Sequence, residues 1–82
     1  MVERGRSVFD TVCAAIKRET GFEGDITKIT TADHIDGWDS IAHITIMYRI
    51  EVLLGVSIDM RETYEASNIG ELAEMIEGKI GQ

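Results

Sequence analysis

Gly37-Trp38-Asp39-Ser40-Ile41-Ala42-His43-Ile44-Thr45-Ile46-Met47-Tyr48-Arg49-Ile50-Glu51-Val52-Leu53-Leu54-Gly55 is the most apolar segment of the chain, and it is bracketed by helix punctuation. Its β-branched residues Ile41, Ile44, Ile46, Ile50 and Val52 would also suit a strand. Its length and its three-to-four-residue spacing favour a helix. Ile46, Met47, Ile50, Leu53 and Leu54 form one stripe, while Ile41, Ile44 and Tyr48 extend a second apolar flank. Asp39 or Ser40 before the run and Gly55 after it are cap residues of the expected kinds. This is expected to be the central helix of the domain.

The segment in front of it is unusual. From Gly21 to Trp38 the chain shows no helical period, and loops longer than about 12–15 residues are uncommon in compact domains unless they are functional or disordered. Ile26, Ile29 and Ile35 are scattered singly through it, as in a loop pinned to a bundle by isolated apolar anchors. The loop ends by delivering a serine to the start of the apolar helix.

Two further helices flank this unit. Val8, Phe9, Val12, Cys13 and Ile16 recur at helical spacing, with Ser7 or a nearby residue as a cap and Gly21 as a stop, so a first helix is expected over roughly residues 5–20. Near the other end, Asn68 and Glu71 have the spacing of a capping box ahead of Ile69, Leu72, Ala73, Met75 and Ile76. A short helical turn around Thr63-Ala66 fills the remaining gap. The expected fold is therefore all-α: a small four-helix bundle of three long helices and one short one, with a long first loop, in a single domain spanning 1–82.

Composition narrows the function. A chain of 82 residues buries only about 60–65% of the surface it exposes when unfolded, so a shallow cleft suits it better than a water-excluding catalytic pocket. With 8 Lys+Arg against 15 Asp+Glu the net charge is -7. That balance argues against nucleic acid, whose affinity rests on neutralising phosphates, and against an anionic membrane surface; it favours basic protein partners. No segment approaches the ~20 apolar residues of a membrane span. Cys13 is the single cysteine, so neither an intramolecular disulfide nor a cysteine zinc site is expected. Met1-Val2-Glu3-Arg4-Gly5-Arg6 leads into an amphipathic run rather than a secretory signal, which makes the cytoplasm the expected compartment.

Chemistry concentrates at Gly37-Trp38-Asp39-Ser40. A serine at a helix N-terminus sits where unpaired backbone N–H groups and the positive end of the helix dipole converge, a position that suits a covalently attached phosphate. Asp39 can cap the helix, help bind the metal of a phosphate donor, or orient the hydroxyl. An Asp-Ser pair before an apolar run is also simply what a helix start looks like.

The wider pattern decides between these readings. Gly37-Trp38-Asp39-Ser40-Ile41, followed by Ile44, Ile46-Met47, Ile50-Glu51, Leu54-Gly55-Val56 and Ile58, resembles the acyl carrier protein family. In that family an Asp-Ser-Leu motif opens the second helix, and its serine carries a 4′-phosphopantetheine arm. The resemblance implies that Ser40 is the attachment serine, that Asp39 is its motif neighbour, and that Ile41, in the place of the leucine, lies beside the arm and faces partners. Ile44, Tyr48 and Glu51 follow along the partner-facing side.

The implied function is an acyl carrier protein with no catalysis of its own. As a monomer it would shuttle acyl thioesters of fatty acid or polyketide biosynthesis between enzymes. The implied partners are a phosphopantetheinyl transferase and acyl-loading, acyl-transfer or condensing enzymes. Two features differ from general fatty-acid carriers. His43, Thr45, Arg49, Val52 and Leu53 replace much of the acidic charge of the motif helix, and His34-Ile35-Asp36-Gly37-Trp38 stands where an acidic-leucine-glycine run is usual. Gly37-Trp38-Asp39-Ser40 resembles stand-alone carriers of specialised pathways.

Four alternatives compete. An aminoacyl or peptidyl cargo suits the same thioester chemistry. An unmodified acidic helical module would use the Ile41, Ile44 and Tyr48 flank for protein contact. A hydrolase built on Asp39, Ser40 and His43 lacks a base oriented across a pocket by a third group, and His43 reads as a surface or partner-facing residue. A calcium site from Asp33, His34, Asp36 and Asp39 lacks the alternating ligands and closing glutamate of an EF-hand. No catalytic or metal-ligating residue is therefore assigned.

Overall fold

The computed structural model of the chain describes residues 7–80. Its elements are α1 (Val8–Thr20), a single 3-10 turn (Ala32–His34), α2 (Ser40–Leu54), α3 (Met60–Thr63) and α4 (Ile69–Ile80). Among the described residues there is no β-strand. Residues 5 and 6 of the expected first helix lie outside the described residues. Within them Ser7 is the cap: its hydroxyl accepts the Asp10 N–H at 3.0 Å and the Asp10 carboxylate reaches back to the Ser7 N–H, a complete capping box. Gly21 and Gly55 close α1 and α2 in the left-handed region, at φ 74° and 66°, where a side chain would be strained.

The core forms where α1 packs against α2 and α4. Val12 and Ile16 of α1, Ile46, Met47 and Ile50 of α2, and Ile76 of α4 are completely buried. Burial of this kind contributes roughly 1.5–3 kcal/mol per large apolar side chain. Two ion pairs tie helices together: Arg49 of α2 to Glu19 of α1, and Lys79 of α4 to Glu62 of the short α3 at 3.0 Å.

The buried face of α2 differs from the expected stripe. His43, Ile46, Met47 and Ile50 are buried and Leu54 is half-buried, whereas Leu53 is 43% exposed. The inward arc is centred on His43, Met47 and Leu54, and Leu53 falls beyond its edge. The short helix also begins earlier than expected, at Met60, because Asp59 caps it by accepting the Arg61 N–H.

Backbone bonds from the start of α4 hold the middle of the long loop. The N–H groups of Ile69 and Gly70, which the start of α4 cannot satisfy internally, donate to the Thr30 and Lys28 carbonyls, each at 2.8 Å. A Cβ at Gly70 would stand 2.8 Å from Lys28 Cβ and 2.9 Å from Lys28 O, so the glycine permits this approach. Of the expected apolar anchors, Ile35 is buried and Ile26 half-buried, but Ile29 is 79% exposed. Ile29 sits in the turn closed by the Thr30 N–H on the Thr27 carbonyl, and the backbone on either side of it faces α4 instead. Gly37, at φ 90°, then turns the chain past the end of α1 and into α2.

Candidate functional site

Asp39 is the cap of α2. Its Oδ1 accepts the Ala42 N–H at 2.8 Å, and its carbonyl accepts the His43 N–H at 2.9 Å. Ser40 is consequently the first helical residue, exposed, with its hydroxyl not needed for capping. The N–H groups of Ser40 and Ile41 have no intrahelical partner, and the first turn holds no acidic residue. An anion bonded to Ser40 Oγ would meet these donors and the positive end of a helix of 15 residues.

Beside Ser40 opens a cleft of about 380 Å³. Trp38, Ser40 and His43 form one wall, Thr63 of α3 and Tyr64 just after it another, and Ile69 and Leu72 of α4 line it as well. The size is at the small end of ligand sites. An exposed hydroxyl at its rim, free backbone donors around that hydroxyl, and apolar walls leading away from it together fit a flexible chain attached through a phosphodiester.

His43 is buried, contrary to its reading as a surface or partner-facing residue. Three residues before Ile46 and four before Met47, it lies on the inward arc, and the polar nature of its ring concealed this. Its Nδ1 accepts the Trp38 indole N–H at 3.1 Å, and its Nε2 lies 2.7 Å from Thr63 Oγ1. With Nδ1 accepting, the neutral ring donates from Nε2, and the Thr63 hydroxyl in turn donates to the Met60 carbonyl at 2.6 Å. Tyr64 stacks on the ring at 4.2 Å. Burial pushes the imidazole below the usual histidine range. Both ring nitrogens are thus engaged away from Ser40, and no nucleophile–base pair forms there.

Among the described residues no group of three or more His, Cys, Asp or Glu side chains is placed to hold a metal. Of the four residues weighed for one, Asp39 caps α2 and His34 Nδ1 accepts the Thr31 N–H at 3.2 Å. No described helix is long and apolar enough to cross a membrane.

Ile41, Ile44 and Tyr48 are exposed, and with Val52 they make a continuous apolar face on the outside of α2. Glu51 does not share it. It is half-buried, and its Oε2 accepts the Ile58 N–H at 2.7 Å, fastening the segment after α2 to the helix. Thr63 and Tyr64 are the site residues that sequence spacing did not reveal, because they come from beyond the end of α2, far from Ser40 in the chain. The inward register of His43 was their one local signal.

A family model described as the phosphopantetheine attachment site matches residues 10–76. The comparison with curated proteins finds no match. Among solved structures, the chain is similar to the solution NMR structure of holo acyl carrier protein from Geobacter metallireducens, with 24% sequence identity, a TM-score of 0.78, and coverage of 90% of this chain and 86% of that one. That likeness is one of fold, and it agrees with the helical bundle described above. The family match spans most of the chain and includes the whole of α2 with Ser40 at its start. The chain belongs to the phosphopantetheine attachment-site family, whose covalent cofactor is 4′-phosphopantetheine, and it has the fold of an acyl carrier protein.

Proposed function

We infer that Ser40 carries the phosphopantetheine arm and that the chain shuttles acyl intermediates, as thioesters, between biosynthetic enzymes without catalysing a step itself. The observation that carries this reading is the exposed Ser40 at the first turn of α2, relieved of capping by Asp39 and placed at the rim of the cleft. When attached, the cofactor supplies a flexible reach and a terminal thiol for the thioester.

This chain's residues do the rest. Ser40 Oγ offers the hydroxyl, and the free N–H groups of the first turn favour the anion held there. Trp38, Tyr64 and Leu72 give the cleft apolar surface along which attached groups can lie. Tethering raises the concentration of cargo at each enzyme in turn, so the contribution is position and not rate enhancement.

Ile41, Ile44 and Tyr48 form the docking face for the phosphopantetheinyl transferase and for acyl-loading, acyl-transfer or condensing enzymes. Docking is weak and brief, since a carrier held tightly by one enzyme cannot reach the next. The reading takes the chain as a single monomeric carrier domain, 1–82, of a specialised fatty-acid or polyketide pathway in the cytoplasm. The low charge of α2, with Glu51 its only carboxylate, supports a specialised role.

Loading tests this. The chain is converted with CoA and a phosphopantetheinyl transferase, then offered to acyl-transferring and to amino-acid-activating enzymes, with intact mass as the readout. An acyl adduct lost in Ser40→Ala supports the proposal. An aminoacyl adduct alone would move the chain to the peptidyl-carrier class, and no adduct from either would refute carriage.

A further inference from the structure

Trp38 stands just before the cap of α2, and His43 is the fourth helical residue. In many helices these two positions hold apolar side chains whose contact sets the angle at which the chain enters the helix. Here the contact is directional. The indole N–H donates to His43 Nδ1 at 3.1 Å, and the two ring centroids are 5.8 Å apart with their planes tilted by 40°. Ser40 lies inside the short loop that this bond closes.

The same imidazole continues across the cleft. Its Nε2–H meets Thr63 Oγ1, and that hydroxyl donates to the Met60 carbonyl. Thr63 is the one buried residue of α3, a helix of four residues that is too short to persist in water by itself. Tyr64, directly after it, stacks on the same imidazole. One ring therefore joins the end of the long loop, the start of α2 and the whole of α3. Every buried side-chain polar atom among the described residues has a partner, so the chain of bonds is complete as it stands.

We propose that His43 is a positioning residue for attachment at Ser40: the Trp38–His43–Thr63 chain holds the loop end and α3 in the single arrangement that a modifying enzyme must meet. The proposal rests on the assignment of Ser40 as the attachment serine. Breaking the chain leaves the Ser40 hydroxyl intact and spreads its surroundings over several arrangements. Only a fraction is then competent to bind, so the apparent affinity of the enzyme falls by that fraction, while chemistry inside the bound complex is unchanged. The net contribution of a single hydrogen bond sets the effect at about threefold to tenfold.

Three variants test this. Trp38→Phe removes the indole N–H and keeps an aromatic ring, Thr63→Val removes the hydroxyl at nearly constant shape, and Thr63→Ser restores the hydroxyl. Each is modified by a phosphopantetheinyl transferase with CoA while the carrier concentration is varied, and the imidazole of the unmodified wild-type protein is read by long-range proton–nitrogen NMR. The expected result is a wild-type ring protonated at Nε2 alone. KM for the carrier should rise about threefold to tenfold in Trp38→Phe and Thr63→Val with kcat unchanged, and return toward wild type in Thr63→Ser.

Equal KM values in all four proteins, a loss confined to kcat, or a wild-type ring protonated at Nδ1 would each overturn the positioning role. Should Thr63→Val fail to fold, Trp38→Phe carries the kinetic test alone. A wild-type protein that takes no phosphopantetheine would instead refute the Ser40 assignment, and with it a positioning role in attachment.

Discussion

Asp39 Oδ1 accepts the N–H of Ala42 at 2.8 Å, so the cap of α2 is Asp39 and the neighbouring Ser40 hydroxyl is not used in capping. The two side chains should separate cleanly in stability measurements. Asp39→Ala is expected to cost about 1 kcal/mol in urea unfolding, and Asp39→Asn much less, because asparagine caps as well as aspartate. Ser40→Ala should stay within about 0.5 kcal/mol of wild type, as exposed substitutions do away from special features. A large loss in Ser40→Ala would mean that the serine is a structural cap after all.

Gly70 lets the loop dock on α4. In Gly70→Ala the new methyl carbon meets the Lys28 carbonyl and Cβ inside 3 Å, and the Lys28 oxygen belongs to a backbone that is itself accepting the Gly70 N–H. The expected outcome is a loss of about 1–3 kcal/mol, as for overpacking elsewhere, together with faster amide exchange at Ile69 and Gly70. Alanine is the better helix former by about 1 kcal/mol, so a stabilised variant with unchanged exchange would show that the loop does not press on the helix.

The depressed pKa of His43 makes stability depend on pH in one direction. Burial favours the neutral ring, and so does the Trp38 N–H aimed at Nδ1. Among the described residues no charged side chain is bonded to the ring: Asp39 is turned to the Ala42 N–H and Glu62 to Lys79, while Tyr64 stacks on it. In the unfolded chain the ring binds its proton near 6.5, and in the fold only at lower pH. Below 6.5 the unfolded state therefore binds more protons. Stability should be full above that pH, fall as the pH drops toward the folded-state pKa, and level off below it. Urea midpoints across this range check it, with His43→Gln expected to flatten the dependence. A slope of opposite sign would contradict the neutral, doubly bonded ring.

Much of the fold was legible. Ser7, Gly21, Gly55 and the Asn68/Glu71 pair marked helix ends, and the structure uses each of them, with one variation. Asn68 Oδ1 accepts the Glu71 N–H, while the Glu71 carboxylate reaches one residue further back, to the Ser67 N–H. Ile46, Met47 and Ile50 were also placed on the buried side by spacing alone.

What escaped was decided by partners distant in sequence. His43 is buried because Thr63, 20 residues later, supplies a hydroxyl, and nothing local to either residue announces that bond. Ile29 reads as an anchor by its apolarity, yet the loop is held through its own backbone carbonyls, an interaction to which side-chain identity is silent. On α2 both faces are apolar, so hydrophobicity left the register open by one position, and Leu53 was misplaced for that reason. Ser40 and Asp39 were legible as a pair; that Asp39 alone is the cap required coordinates.

Ile41 is the most exposed large hydrophobic residue of α2, at 76%, and lies next to Ser40. Ile41→Asp should leave the fold within about 0.5 kcal/mol of wild type, since no buried contact is lost. Modification at Ser40 and later acyl transfer should both slow, by tenfold or so if a central apolar contact of about 1.4 kcal/mol is removed. Initial rates at limiting carrier concentration are the check, and rates equal to wild type would show that this face does not dock the enzymes.

The central claim, attachment at Ser40, comes down to intact mass. Purified chain and its Ser40→Ala variant are each incubated with CoA and a broad-specificity phosphopantetheinyl transferase, then weighed whole and fragmented. Wild type should gain one phosphopantetheine, located on Ser40, and the variant should gain none. A modified Ser40→Ala chain, or a wild-type chain left unmodified by several such transferases, would contradict the account.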